Sequence, residues 1–173
     1  MTTSLPEPWL RGPLPGVPGP LQPAAHAFVM AFEDVEAAVS VLTPEQWWAT
    51  PAGLPPVGFH VAHLAGSTDR LLTYARGEAL SDTQRVALAR EETLLDERPG
   101  GAVLLADWRA TFERALAQLA ATPPATLADA RTVGRAHLPS TVLGLLFHAA
   151  EHASRHTGQV VTTAKAVRAL AVR

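Results

Sequence analysis

Apolar residues recur every three or four positions along four long segments of the chain, which is the spacing of one face of an α-helix. The predicted helical segments are residues 24–42, 57–76, 102–119 and about 140–170. We find no alternation of the kind typical of a β-strand that lasts more than a few residues, and no internal repeat. The pattern therefore predicts an all-α protein built as a four-helix bundle.

The same spacing predicts which side chains enter the core. In the second segment they are Val61, Leu64, Ala65, Thr68, Leu72 and Ala75, and in the third they are Val103, Leu105, Trp108, Phe112, Leu116 and Leu119. Gly77 stands where a glycine would close the second helix.

Proline and polar residues mark the segments between the helices. Seven of the first 23 residues are proline, so we expect residues 1–23 to form an extended arm and residues 24–173 to form the bundle. The arm is either an ordered coat pinned by Trp9 and Leu10 or a partner-binding motif.

The connectors carry their own signals. Thr43 to Gln46 reads as a capped turn, and Ser81 is predicted to cap a short crossover helix between helices two and three. Residues 122–139 contain three prolines and no sustained period, so they are predicted to be mostly connector.

Composition narrows the functional classes. The 173 residues fit one domain, and a net charge of −2 lacks the basic excess that nucleic-acid binding requires. The absence of cysteine excludes disulfides and thiolate metal sites. We find no signal peptide and no apolar run long enough to span a bilayer, so we expect a soluble cytoplasmic protein without a membrane partner.

Histidines carry the clearest candidate chemistry. His148, His152 and His156 follow one another at intervals of four residues, and residues four apart lie on one face of a helix. Because catalytic sites of the zinc type usually take three protein ligands, a further ligand is expected from a neighbouring helix. His63 is the natural candidate, and His60, one turn earlier, is its rival.

Other polar residues near these positions have alternative interpretations. His148 is either a ligand or part of a pocket wall, and Gln159 either orients a ligand ring or is a helix-interface amide. Ser67 lies one turn after His63 but lacks the motif of a serine nucleophile. Glu151 precedes His152 and is predicted to point away, which disfavours a metalloprotease of the His-Glu-x-x-His type. We further expect inter-helix ion pairs from Asp69, Arg70 and Arg155.

Two motifs together resemble a known family. They are His63-Leu64-Ala65-Gly66-Ser67 and His152-Ala153-Ser154-Arg155-His156-Thr157-Gly158-Gln159. In order and separation they resemble the DinB-like proteins and the related thiol-dependent S-transferases and metal hydrolases, over residues 24–170. The resemblance implies a DinB-like four-helix bundle, a divalent metal (zinc or nickel) held by His63, His152 and His156, and often a homodimer.

The resemblance leaves two classes of function open. The leading hypothesis is a metal-dependent enzyme that activates water or a low-molecular-weight thiol, such as bacillithiol or mycothiol, for attack on a small electrophilic substrate. It would then be a thiol S-transferase or a hydrolase. The alternative is a non-catalytic metal- or ligand-binding stress-response protein, and a further possibility is a bundle that binds no metal at all.

Overall fold

The computed structural model describes residues 6–170 of the chain. Seven α-helices occupy this part: α1 (Gln22–Val39), α2 (Pro44–Trp47), α3 (Val57–Ala75), α4 (Asp82–Arg90), α5 (Leu94–Glu97), α6 (Gly101–Ala121) and α7 (Val142–Leu170). An antiparallel hairpin of β1 (Ala130–Val133) and β2 (Leu138–Thr141) precedes α7. The all-α prediction is confirmed, since the four long helices fall where the periodicity placed them.

The four long helices pack into one bundle. Helix α7 lies against both α1 and α3, and α6 closes the other side against α3 and α1. Phe28, Leu64, Trp108 and Leu146 come from the four helices and are fully buried. None of the helices within residues 6–170 is both long and apolar enough to cross a lipid bilayer.

Capping residues fix where the helices begin and end. Ser81 accepts a hydrogen bond from the backbone N–H of Gln84, whose side chain accepts one from the backbone of Ser81. Thr43 and Gln46 form the same reciprocal box at α2. Gly77, with φ of +80°, ends α3, because the chain there takes a left-handed turn that suits a residue without Cβ.

The structure differs from the sequence prediction in the connector before α7. Residues 130–141 form a hairpin, with Ala130 opposite Thr141 and Val133 opposite Leu138. The strands are four residues long, and none of their residues is fully buried, so they carry little of the apolar alternation that marks a strand with one face in the core.

One predicted core residue of α6 is wrong, whereas Trp108 and Leu119 are buried as predicted. Val103 is 57% exposed, and Leu104 enters the core in its place. Leu104, Trp108 and Thr111 share the inward face, and adjacent residues of a helix point about 100° apart. Val103 therefore lies outside the core, contrary to the sequence prediction.

The proline-rich arm contains two 3-10 turns, at Pro8–Leu10 and Gly19–Leu21. Trp9 and Leu10 are exposed, so they do not anchor the arm to the surface of the bundle, contrary to the sequence prediction. The guanidinium of Arg11 instead donates two hydrogen bonds to the carboxylate of Glu33 on α1. Residues 1–5 of the arm and 171–173 of the predicted bundle lie outside the described residues.

Candidate metal centre

Helices α3 and α7 bring three imidazoles together inside the bundle. His63 lies on α3, and His152 and His156 lie on successive turns of α7. One ring nitrogen from each falls within 4.8 Å of the others. The Nε2 atoms of His63 and His152 are 3.0 Å apart, and the His156 ring centre is 4.5 Å from each of the other two ring centres. The three positions taken from the sequence thus form one cluster.

The cluster fits a divalent transition metal by donor type and by spacing. Zinc binds imidazole nitrogens at about 2.0–2.1 Å in a tetrahedral arrangement, which places ligand nitrogens roughly 3.3 Å apart. The observed separations require only small movements of side chains to reach this geometry. Three nitrogen donors without a thiolate suit zinc, nickel and similar ions.

Burial favours the form of the rings that binds a metal. It lowers the pKa of His152, with a further contribution from His63. It also lowers the pKa of His156 to about 4, with repulsion from His63 and His152 in the same direction. Both rings are therefore neutral at pH 7, and each offers a lone pair.

A carboxylate from the crossover completes the surroundings of His63. The Nδ1–H of His63 donates to Oε2 of Glu91 at 2.7 Å, and Nη1 of Arg70 donates to Oε1 of the same carboxylate at 2.7 Å. Burial raises the pKa of Glu91, but the hydrogen bonds from His63 and Arg70 outweigh it and hold that pKa below its ordinary value. Glu91 is therefore ionised at neutral pH.

Sequence reasoning did not single out Glu91. It follows α4, 28 positions after His63, and no local motif links the two residues. The polar residues 81–98 predicted only a short crossover helix between the second and third long helices, without a role in the site. The contact between Glu91 and His63 depends on how α4 packs against α3, and the spacing of apolar residues in the sequence does not reveal that packing.

His60 and Ser67 occupy different surroundings from the three clustered rings. His60 is buried, and its Nδ1 lies 3.3 Å from Nδ1 of His156. Burial lowers the pKa of His60, and His63 adds to the effect. The hydroxyl of Ser67 donates to the backbone carbonyl of His63 within its own helix.

The remaining candidates on α7 lie further out. His148 is exposed; its Nδ1 is 3.3 Å from Oε2 of Glu151, and its ring centre is 5.7 Å from that of His152. Gln159 is exposed and, among the described residues, donates or accepts no hydrogen bond with the clustered rings. Glu151 faces His148 and Arg155, as its predicted outward direction requires.

Two of the three residues expected to form ion pairs between helices pair with another segment, and one of these pairs joins two helices. Arg70 joins α3 to Glu91 of the crossover, and Asp69 joins α3 to Arg114 of α6. Arg155 instead pairs with Glu151 of its own helix, four residues earlier. The prediction for Arg155 is wrong, because on an exposed helical face the i,i+4 partner is the nearest opposite charge.

A cavity of about 450 Å³ lies next to this region, between α3, the crossover and α6. Gly66, Glu91, Leu104 and Arg114 are among its lining residues. The three clustered histidines do not line it, but Glu91, which is hydrogen-bonded to His63, does.

Comparison with known proteins places the chain in a family. The family model described as the DinB superfamily matches residues 27–160, a span that contains the three clustered histidines and Glu91. None of the curated proteins is detectably similar to the chain.

Proposed function

The chain belongs to the DinB superfamily, and from this premise we propose that it is a metal-dependent enzyme centred on His63, His152 and His156. The observation that supports the proposal is the convergence of one nitrogen from each ring within 4.8 Å, although His63 and His152 are 89 positions apart in the chain and lie on different helices. We infer that the metal is zinc or nickel, as the resemblance to the DinB-like proteins implies, and the all-nitrogen donor set is compatible with both.

The proposed chemistry is activation of a nucleophile. A divalent ion with three protein ligands supplies Lewis acidity at an open position, where it lowers the pKa of a water or a thiol. His152 and His156 contribute neutral rings on one rigid helix, and His63 contributes a ring oriented by Glu91. Because the chain has no cysteine, any reacting sulfur must arrive as a cosubstrate.

The substrate in this proposal is a small electrophilic molecule. A thiol S-transferase and a hydrolase would use the same three histidines and differ in the nucleophile that is admitted. We further propose a homodimer, which light scattering of the purified protein would test.

The first experiment is elemental analysis of untagged protein, with His63→Ala and a matched control, His137→Asn. His137 lies at the hairpin turn with φ of +47°, a conformation that asparagine also tolerates. We expect near-stoichiometric transition metal in wild type and the control, and a large loss in His63→Ala. Wild-type protein that carries far less than stoichiometric metal would refute the proposal.

The second experiment separates the reactions. Turnover of a model electrophile is measured with and without bacillithiol or mycothiol, before and after chelation. A thiol-dependent, chelator-sensitive rate supports the transferase, and a thiol-independent rate supports the hydrolase. Stoichiometric metal with chelator-induced destabilisation and no turnover would identify the non-catalytic stress-response alternative.

A further inference from the structure

Both ring nitrogens of His63 are engaged, and their partners differ in kind. Nδ1 lies 2.7 Å from a carboxylate oxygen of Glu91, while Nε2 lies 3.0 Å from Nε2 of His152. An ionised carboxylate only accepts hydrogen bonds, so the proton of His63 must be on Nδ1. The lone pair of Nε2 is then directed into the cluster, which is the arrangement that coordination requires.

The carboxylate of Glu91 is itself held by a second group. Oε1 accepts a hydrogen bond from Arg70, and Oε2 accepts one from His63. Arg70 and His63 both lie on α3, seven residues apart. The Glu91 side chain is only 15% exposed. With one oxygen bound to each partner, the carboxylate cannot rotate without losing a hydrogen bond, so its direction toward His63 is fixed.

Gly66 provides an independent observation on the same bridge. A Cβ at this position would lie 2.9 Å from Nη1 of Arg70 and 3.0 Å from Oε1 of Glu91. A glycine inside a helix lowers its stability relative to alanine. Here the missing Cβ leaves the space in which the arginine and the carboxylate meet.

From these contacts we propose that Glu91 is a positioning residue of the metal centre: it fixes the tautomer and orientation of His63. The crossover between α3 and α6 thereby becomes part of the centre, although it supplies no ligand. This inference rests on the proposed function for its consequence in metal affinity. The tautomer of His63 in metal-free protein can be measured whether or not a metal binds.

The affinity test compares Glu91→Gln with Glu92→Gln. Glu92 is the exposed neighbour, so its substitution changes the net charge equally without touching the bridge. Zinc affinity is measured by competition with a chromophoric chelator. We expect Glu91→Gln to bind zinc about 10- to 100-fold more weakly than wild type, and Glu92→Gln to match wild type. Equal affinity in wild type and Glu91→Gln would overturn the proposal.

A second pair of variants leaves every charged group in place. Gly66→Ala inserts the Cβ that the bridge excludes, whereas Gly158→Ala adds one in a helix where nothing lies within 4 Å. The clash falls on the flexible end of Arg70, so Gly66→Ala is expected to fold. We expect weaker zinc binding in Gly66→Ala than in Gly158→Ala. Equal affinities in these two variants would count against the bridge.

The third measurement needs no metal. Two-bond proton–nitrogen correlation spectra of metal-free protein, under mildly alkaline conditions, report which nitrogen of His63 carries the proton. We expect Nδ1–H in wild type and Glu92→Gln, and loss of that preference in Glu91→Ala. If wild type binds no zinc but shows this pattern, the proposed function fails and the positioning role stands. Wild type with the proton on Nε2 overturns the positioning role.

Discussion

Acidification of the metal-free protein tests the electrostatics of the histidine cluster. The folded state holds the pKa of His156 at about 4, against an ordinary value of 6.5. Between these pH values the unfolded chain binds a proton that the folded protein does not. The free energy of unfolding must therefore fall as the pH falls from about 6.5 to about 4, and the loss is complete below that window.

The size of the effect follows from the pKa difference. A fall from 6.5 to about 4 corresponds to roughly 3.4 kcal/mol at about 1.36 kcal/mol per pKa unit. The ring is only partly buried, and solvent screening reduces the contribution to about 2 kcal/mol. For a domain of this size, that change lowers the melting temperature by roughly 4–8 °C.

The assay is thermal denaturation of chelator-treated protein at pH 7 and pH 4, for wild type, His156→Gln and His137→Asn. The loss of stability on acidification is expected to be about 2 kcal/mol smaller in His156→Gln than in wild type. His137→Asn is expected to behave as wild type, because its ring lies on the exposed hairpin turn. Parallel losses in wild type and His156→Gln would refute the reasoning.

Three further outcomes are expected. Zinc at about a thousand times its dissociation constant should stabilise wild type by about 4 kcal/mol, measured as the shift in melting temperature, and His63→Ala should show little of this shift. Trp108→Ala should cost about 3–5 kcal/mol in urea denaturation, because the ring is fully buried, whereas the exposed Trp9→Ala should be nearly neutral. Ser81→Ala should cost about 1 kcal/mol in the same assay, since it removes the reciprocal cap of α4, and an unchanged denaturation midpoint would contradict the role of the box.

Much of the fold could be predicted because four long amphipathic helices repeat the same apolar spacing many times. The predicted inward residues of α3 are all buried, and Gly77 closes that helix as expected. The hairpin at 130–141 could not be found in the same way, because strands of four residues with no buried face provide too few alternations. Val103 was misplaced because a one-residue error in helical phase turns a side chain by about 100°.

In the site too, the residues that share one helix could be predicted from the sequence, and a partner from another segment could not. The spacing of His152 and His156 is local, so the sequence shows it directly, and the structure adds the approach of His63. The roles of these residues as ligands remain predictions. Glu91 could not be found from the sequence, because its contact with His63 joins two segments through the packing of the crossover. Local patterns reveal groups that share an element, and partners contributed by another element require the tertiary structure.

Two of the three clustered nitrogens belong to one uninterrupted helix, α7, which runs from Val142 to Leu170. The helical repeat fixes the distance between the backbones of His152 and His156. The part of the cluster geometry that can vary is therefore the distance between α7 and α3. Substitutions of the core side chains that pack between α3 and α7 would thus move His63 relative to His152 and His156, whose own separation would hardly change. For the proposed metal centre, we therefore expect apolar substitutions remote from the histidines to change which ion is preferred while His63, His152 and His156 stay the same.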